Sequence, residues 1–532
     1  SMEIAEDSPV SAVQIGDPIT QKKMLDFLLE ARDLGLIKCL TDNGAGGLSS
    51  SVGETAQFSG GAEVHLEKAP LKYSGLDPWE ILVSEAQERM TVGVAQKDVK
   101  TFMELASRRG VEATIIGTYT NSGKFHILYK GKTVAYIDLD FLHQGHGRMH
   151  LKAKWKKPEF TEPKLPKKPD YTGELFSLLS SYNICSKESV IRQYDHEVQG
   201  ASVVKPLTGV MNDGPSDAAV LKPIADSYEG VVISNGINPF YGDIDTYHMT
   251  ACAIDEAIRN AVAVGADPDR LAGLDNFCWC DPVQSDKTPD GEYKLAQLVR
   301  ACKAVYDYTT AFGVPCISGK DSMKNDYKIG KYRISIPPTI LFSVLGKIKD
   351  VRKAVTSDAK NAGDIVYILG MTKNELGGSA YYRLKNDVGT IVPKVDAKTA
   401  KKLYRALAQA IEKKLVRSCH DCSDGGLAVS LAETAFGGGF GMKIDLSRIP
   451  FENCSKNDEI LFSESQSRFV VTVKPADKPE FEKIFKGIIF ASIGEILAES
   501  DLIIKGLDSK TVIKADIFDL KEAWQKPLRG VV

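Results

Sequence analysis

The chain has 532 residues, enough for three or four domains. Its composition, 43% hydrophobic and 26% charged, is that of an ordinary globular protein, and its net charge of −3 offers nothing to nucleic acid or an anionic membrane. No apolar run approaches the roughly 18 residues of a membrane helix, and the acidic start Ser-Met-Glu-Ile-Ala-Glu-Asp is no signal peptide. A cytoplasmic protein that engages neither nucleic acid nor membrane is therefore expected. Ser1-Met2 reads as a remnant of expression. The ten cysteines include Cys278-x-Cys280 and Cys419-x-x-Cys422, but neither pair has a second pair at zinc-like spacing, so reduced and mostly buried thiols are expected.

In chain order, Val13-Gln-Ile-Gly-Asp-Pro18 leads into a helix marked by Met24, Leu25, Phe27, Leu28, Ala31 and Leu34 and stopped at Gly35. Leu36 to Leu40 is a short apolar strand. The turn Thr41-Asp-Asn-Gly-Ala-Gly-Gly-Leu48 follows, then a helix through Ala56. Backbone N–H groups at such a helix start can hold an anion. Val111 to Gly117 and Lys124 to Ile137 read as strands, with a turn at Asn121-Ser-Gly123. His143, His146 and His150 follow in a glycine-containing stretch that reads as a flexible loop rather than a metal site. Residues 152–183 begin Lys- and Pro-rich and read as an extended, solvated linker. Beyond it come a strand at Val231–Ser234, a helix from Cys252 to Val264, and a strand at Val314–Ser318 that opens onto Gly319-Lys-Asp-Ser-Met323. A β-rich stretch spans Ile334 to Phe342.

The glycine turn has an echo at His420-Asp-Cys-Ser-Asp-Gly-Gly-Leu427, offset by 379. Residues 41–60 match residues 420–439 at nine of twenty positions. At the same offset Ser84-Glu-Ala-Gln-Glu-Arg89 falls on Ser463-Glu-Ser-Gln-Ser-Arg468. Two motifs keeping one spacing indicate a duplicated domain. This Ser-Glu-x-Gln-x-Arg motif could bind a polar substrate. It could equally be a turn closed by its own hydrogen bonds, the more so in the second copy.

Asp42, Asp217, Asp275, Asp321 and Asp421 stand beside glycine turns, the arrangement that Mg²⁺-bound phosphates require. Glu256 and Asn260, four apart, share a helix face and could reach one metal, although a solvated face has the same pattern.

As an ordered set these motifs resemble phosphoribosylformylglycinamidine synthase, in the superfamily of aminoimidazole ribonucleotide synthetase. The set includes Tyr194-Asp-His-Glu-Val-Gln-Gly200, Ser216-Asp-Ala-Ala-Val220, Glu256-Ala-Ile-Arg-Asn260 and Glu375-Leu-Gly-Gly-Ser379. The resemblance implies an α/β (α+β) fold of N-type and C-type domains with the C-type domain duplicated. The divisions would be a first C-type domain at 1–151, the linker at 152–183, an N-type ATP-binding domain at 184–344, a second C-type domain at 345–506 and a tail at 507–532. It implies ATP-dependent conversion of formylglycinamide ribonucleotide to the amidine, with ammonia from a glutaminase domain or subunit. Another synthetase of the superfamily, or a structural nucleotide-binding half, is the alternative. It also implies that a first N-type domain with the catalytic residues lies outside this chain, which alone would be inactive. By the same resemblance Gln14, Ala86, Gln87, Glu88 and Ser322 bind substrate. Asp275, Gly319, Ser216 and Ser423 contact ATP or ADP. Asp42, Asp217, Glu256, Asn260 and Asp421 hold Mg²⁺. Lys320, where shorter members carry a metal-binding Asn, would meet phosphate as a point charge.

Overall fold

The computed structural model describes residues 13–14, 16–330 and 332–530, with the side chains of Val13 and Gln14 outside the description; Ser1-Met2 also lies outside it. The chain forms two compact units, one of residues 4–150 and one from residue 151 onward.

In the smaller unit, helix Pro18–Asp33 starts on a proline at its first turn, where a missing N–H costs nothing. It buries Phe27 and Ala31. Strand Ile37–Asp42 pairs with Met90–Val94, and Gly117–Tyr119, Ala62–His65, Lys124–Tyr129 and Lys132–Asp138 make a separate four-stranded sheet. The expected strand at 111–117 is reduced to Gly117–Tyr119, because residues 111–116 have no ladder partner among the described residues.

The larger unit holds two large sheets, beside the two-stranded pairs Asp326–Ile329 with Tyr332–Ser335 and Thr372–Lys373 with Phe451–Glu452. The first runs Cys316–Ser322, Leu271–Cys278, Thr339–Ile348, Gly230–Ile237, Ala219–Leu221, Ser202–Val204. Helix Thr246–Ala263 packs on it; fourteen of its residues are buried, so it is a core helix and not a surface one. The second sheet runs Ser418–Asp421, Phe469–Val473, Ile365–Leu369, Phe490–Ile496, Met442–Asp445, Asp501–Lys505, Thr511–Asp516.

The duplication is written in the elements. Helix Pro18–Asp33 and helix Ala397–Glu412 have the same length at an offset of 379, as do strands Met90–Val94 and Phe469–Val473. Glu88 and Ser467, also 379 apart, share the rare left-handed backbone at φ +54° and +58°.

Four readings of the sequence are corrected. The stretch 152–183 is a seated strap. Trp155 stacks on Tyr293 at 5.5 Å, Glu162 accepts from Tyr382 Oη and the Thr390 N–H, and helix Thr172–Leu179 buries three leucines. The boundary at 344/345 falls inside strand Thr339–Ile348, whose residues 341–348 pair without a break with Gly230–Ile237. The supposed tail supplies edge strand Thr511–Asp516 and a helix, Ile517–Gln525, that buries Trp524. Gly319-Lys-Asp-Ser322 is no turn: parallel pairing with Leu271–Cys278 carries the strand through it. All ten cysteines are unpaired, five of them buried.

Candidate nucleotide and metal site

Asp421 ends strand Ser418–Asp421, and the turn after it enters helix Gly426–Gly438. Gly425 and Gly426 have φ +78° and +66°, and a Cβ on Gly426 would stand 2.5 Å from Ser463 O, so glycine is required on both grounds. The Gly425 N–H donates to Glu464 Oε1 at 2.8 Å. In this copy the turn therefore spends that donor on the protein itself, and what it presents to a ligand is carboxylate.

Three segments meet here. Helix Thr246–Ala263 brings Asp255, Glu256, Arg259 and Asn260. The turn brings Asp421 and Ser423, and the approach to strand Ala219–Leu221 brings Ser216 and Asp217. Arg259, fully buried, donates to Asp255 at 2.6 Å, Asp421 at 3.1 Å, Gln466 at 3.0 Å and Ser423 at 2.9 Å. Ser423 Oγ has one proton and two carboxylate neighbours, Asp421 and Glu256. Burial pushes the Glu256 carboxyl up to about 8 against the pull of Arg259. Burial also opposes the charge on Asp421, but Arg259 and His420 hold it below the ordinary range.

Asp217, His420 and Asp421 are the one group of such side chains, among the described residues, close enough to share a cation. His420 is not free to be a ligand. Its Nδ1 faces Asp217 Oδ1 at 2.7 Å and its Nε2 faces Glu433 Oε2 at 2.9 Å. Although burial works against it, these two acids hold the imidazolium well above its usual range. What remains open is oxygen: Asp217 Oδ2 and Asn260 Oδ1 are both buried without a hydrogen-bond partner. Mg²⁺ takes carboxylate and amide oxygens, so Asp217, Glu256, Asn260 and Asp421 fit it as a donor set.

The structure divides the remaining expected residues between two places. In the smaller unit Asp42 is exposed and accepts from the Gly44 N–H. Ala86 N–H donates to Asn43 O, so Ala86, Gln87 and Glu88 run beside the Asp42 turn, and the Gln14 backbone pairs opposite Ala86. Glu88 Oε2 accepts from the Asp17 N–H, and a Cβ on Gly16 would collide with that carboxylate at 1.3 Å. In the larger unit Asp275 and Gly319 are register partners, and the Asp275 carboxylate lies over the bare glycine. Ser322, level with Cys278, ends the same exposed edge strand. Lys320 is also on that edge. Sequence reasoning missed Arg259, Asp255, His420 and Glu433. Arg259 stood three residues after Glu256, and hence on the same side of the helix.

The two copies of Ser-Glu-x-Gln-x-Arg have diverged. In the second, Glu464 accepts from the Gly425 and Ala380 N–H groups and from Tyr241, and Arg468 donates to Ser463 O, Ser465 O and Thr372. All its polar ends are thus spent internally. In the first, Gln87 is exposed and Glu85 only half-buried.

Comparison with known proteins follows the same division. The model of the AIR synthase related protein C-terminal domain matches residues 1–130 and 361–506, and that of the N-terminal domain matches residues 215–348. The phosphoribosylformylglycinamidine synthase subunit PurL of Thermococcus sibiricus is 35% identical over 525 residues, 98% of this chain and 69% of that protein. The chain belongs to the phosphoribosylformylglycinamidine synthase PurL family. The PurL subunit of Thermoplasma volcanium is 32% identical over 530 residues, 98% of this chain and 66% of its own length. The structure of T. maritima PurL complexed with ADP superposes with a TM-score of 0.60 at 22% identity, covering 91% of this chain and 68% of that one, and shows the same fold. The chain thus spans about two thirds of the length of these PurL relatives. Among its described residues no helix is long and apolar enough to cross a membrane.

Proposed function

We propose that the chain serves the ATP-dependent conversion of formylglycinamide ribonucleotide to its amidine, and that its larger unit holds a Mg²⁺-nucleotide at Asp217, Glu256, Asn260 and Asp421. Solved PurL structures are described as complexes with ADP, with ATP and with FGAR. The observation that carries the nucleotide site is the pair of buried, unpartnered oxygens, Asp217 Oδ2 and Asn260 Oδ1, in a cluster of acids. Leaving such atoms unpaired costs ~1–3 kcal/mol each, a cost that a cation would remove. Mg²⁺ would neutralise phosphate charge there, and Ser216 and Ser423 would donate to phosphate oxygens.

In the reaction, ATP activates the amide oxygen as its phosphate ester and ammonia displaces phosphate. Asp42, Gln14, Ala86, Gln87, Glu88, Asp275, Gly319 and Ser322 are the positions proposed to hold the reactants, with Lys320 facing phosphate. Ammonia would come from a glutaminase domain or subunit, in the cytoplasm. A second reading is that nucleotide in the larger unit is structural. The Arg259 network favours it, because it ties helix Thr246–Ala263 of one sheet layer to the Asp421 turn of the other.

Acid extraction of the purified chain, followed by chromatography, tests the site. Adenine nucleotide is expected in the wild type and absent from Asp217→Asn. Equal nucleotide in both would remove Asp217 from the site, and none in either, even after incubation with ADP and Mg²⁺, would remove the site itself.

A further inference from the structure

Residues 162–166 of the strap line a cavity of about 350 Å³ in the larger unit. Asn374 and Leu376, just after strand Thr372–Lys373, and Asp458 and Glu459, in the short helix Asn457–Leu461, line it as well. That volume is at the small end of the range for small-molecule sites. None of the residues proposed above for nucleotide, Mg²⁺ or substrate lines it. Nor do Pro393, Ser465, Gln466 and Ser467, the counterparts at the 379 offset of Gln14, Ala86, Gln87 and Glu88. Asp458 itself corresponds to Trp79, so this acid belongs to the second copy alone.

The polar groups around the cavity are unequally used. Glu162 accepts from Tyr382 Oη at 2.8 Å, from the Thr390 N–H at 2.8 Å and from Thr390 Oγ1 at 2.6 Å. Glu459 Oε2 accepts from the N–H groups of Ser455 and Lys456, and Lys456 Nζ donates to Leu165 O at 3.1 Å, which fastens the strap. Two oxygens are left over: Asp458 Oδ1 and Asn374 Oδ1 are buried without a hydrogen-bond partner. Asp458 is 2% exposed, and its other oxygen takes a long bond, 3.4 Å, from Tyr381 Oη. Burial pushes its carboxyl above the ordinary range, against the pull of Lys456. Both orphans are acceptors, so they call for a donor and not for an anion. A metal ion is not that donor, because the one group of acidic, His or Cys side chains close enough to share it, among the described residues, is Asp217, His420 and Asp421. A protonated primary amine brings a positive charge and three N–H bonds, enough for both oxygens. Leu165, Leu376 and Tyr382 give an attached alkyl chain an apolar flank.

We propose that this cavity binds a small primary alkylammonium ligand, whose N–H groups donate to Asp458 Oδ1 and Asn374 Oδ1 and whose alkyl part lies against Leu165, Leu376 and Tyr382. Asp458 supplies the countercharge and Asn374 the second acceptor. The site is separate from the nucleotide site and does not rest on that reading.

Ligand-observed NMR titration of the full chain at neutral pH, with n-butylammonium chloride as the probe, tests this. Saturable binding is expected. Two controls should bind about tenfold or more weaker: n-butanol, which has the shape without the charge, and tetramethylammonium, a cation without N–H groups. Asp458→Asn keeps the shape and removes the charge, and Asn374→Leu removes the second acceptor. Each should weaken n-butylammonium binding by about tenfold or more. The two changes are on different segments, so if one variant fails to fold the other decides. No binding of n-butylammonium, equal binding of either control, or unchanged binding in a folded variant would overturn the proposal.

Discussion

Arg259 and Asn260 are adjacent in sequence and have opposite tasks. Arg259 neutralises Asp255 and Asp421 inside the protein, so Arg259→Met strands two buried carboxylates. A cost of about 3–5 kcal/mol is expected, read by urea unfolding of the larger unit. Asn260 gives only its amide N–H to Asn235 O. Asn260→Ala should leave stability nearly unchanged and weaken Mg²⁺-nucleotide binding by about tenfold or more. Glu464 offers a pH readout. Burial pushes its carboxyl up to about 7, from an ordinary 4.5, against the hydrogen bonds of Tyr241, Gly425 and Ala380. A raised acid stabilises the fold fully below its unfolded value, and that contribution is lost as pH rises through the folded one. Melting temperature should therefore fall between about pH 5 and 8, with a shallower slope in Glu464→Gln. The spacing of Glu256 and Asn260 put both on one helix face from sequence alone. Arg259 was illegible because a charge in a helix reads as solvated until Asp255, Asp421 and Gln466 are seen around it.

At the scale of elements, the glycine turns are fixed by close approach as well as by backbone angle. A Cβ on Gly47 would meet Ser84 O at 2.3 Å, and one on Gly426 would meet Ser463 O at 2.5 Å. Gly47→Ala and Gly426→Ala should each destabilise their own unit by about 1–3 kcal/mol, measured as separate unfolding transitions. The glycine turns and the helices after them could be read from composition. The strap could not, since Lys- and Pro-rich chain looks solvated, whereas Trp155, Glu162 and Tyr171 each find a partner far away in sequence. Gly319 looked like a turn because a strand with a central glycine and two charges has no local signature. Its pairing with Leu271–Cys278 is what makes it a strand.

For the molecule as a whole, the repeat at 379 was the most informative sequence feature. It survives as equal helices, equal strands and equal left-handed residues. What it did not reveal is how differently the copies are used: the second has closed its Ser-Glu-x-Gln-x-Arg motif on itself, and the first has left Gln87 exposed. Two compact units should give two calorimetric transitions. ADP with Mg²⁺ should raise that of the larger unit, by about 2.7 kcal/mol at ~100 times Kd, and leave the smaller one in place.

The central claim is that Asp217, Glu256, Asn260 and Asp421 form a Mg²⁺-nucleotide site in the larger unit. Calorimetric titration of ADP into nucleotide-stripped protein, with Mg²⁺ and with EDTA, for the wild type and Asn260→Ala, tests it most directly. The expected result is one site, dependent on Mg²⁺ and weakened about tenfold or more by the substitution. Binding that is indifferent to both Mg²⁺ and Asn260, or no binding at all, would contradict it.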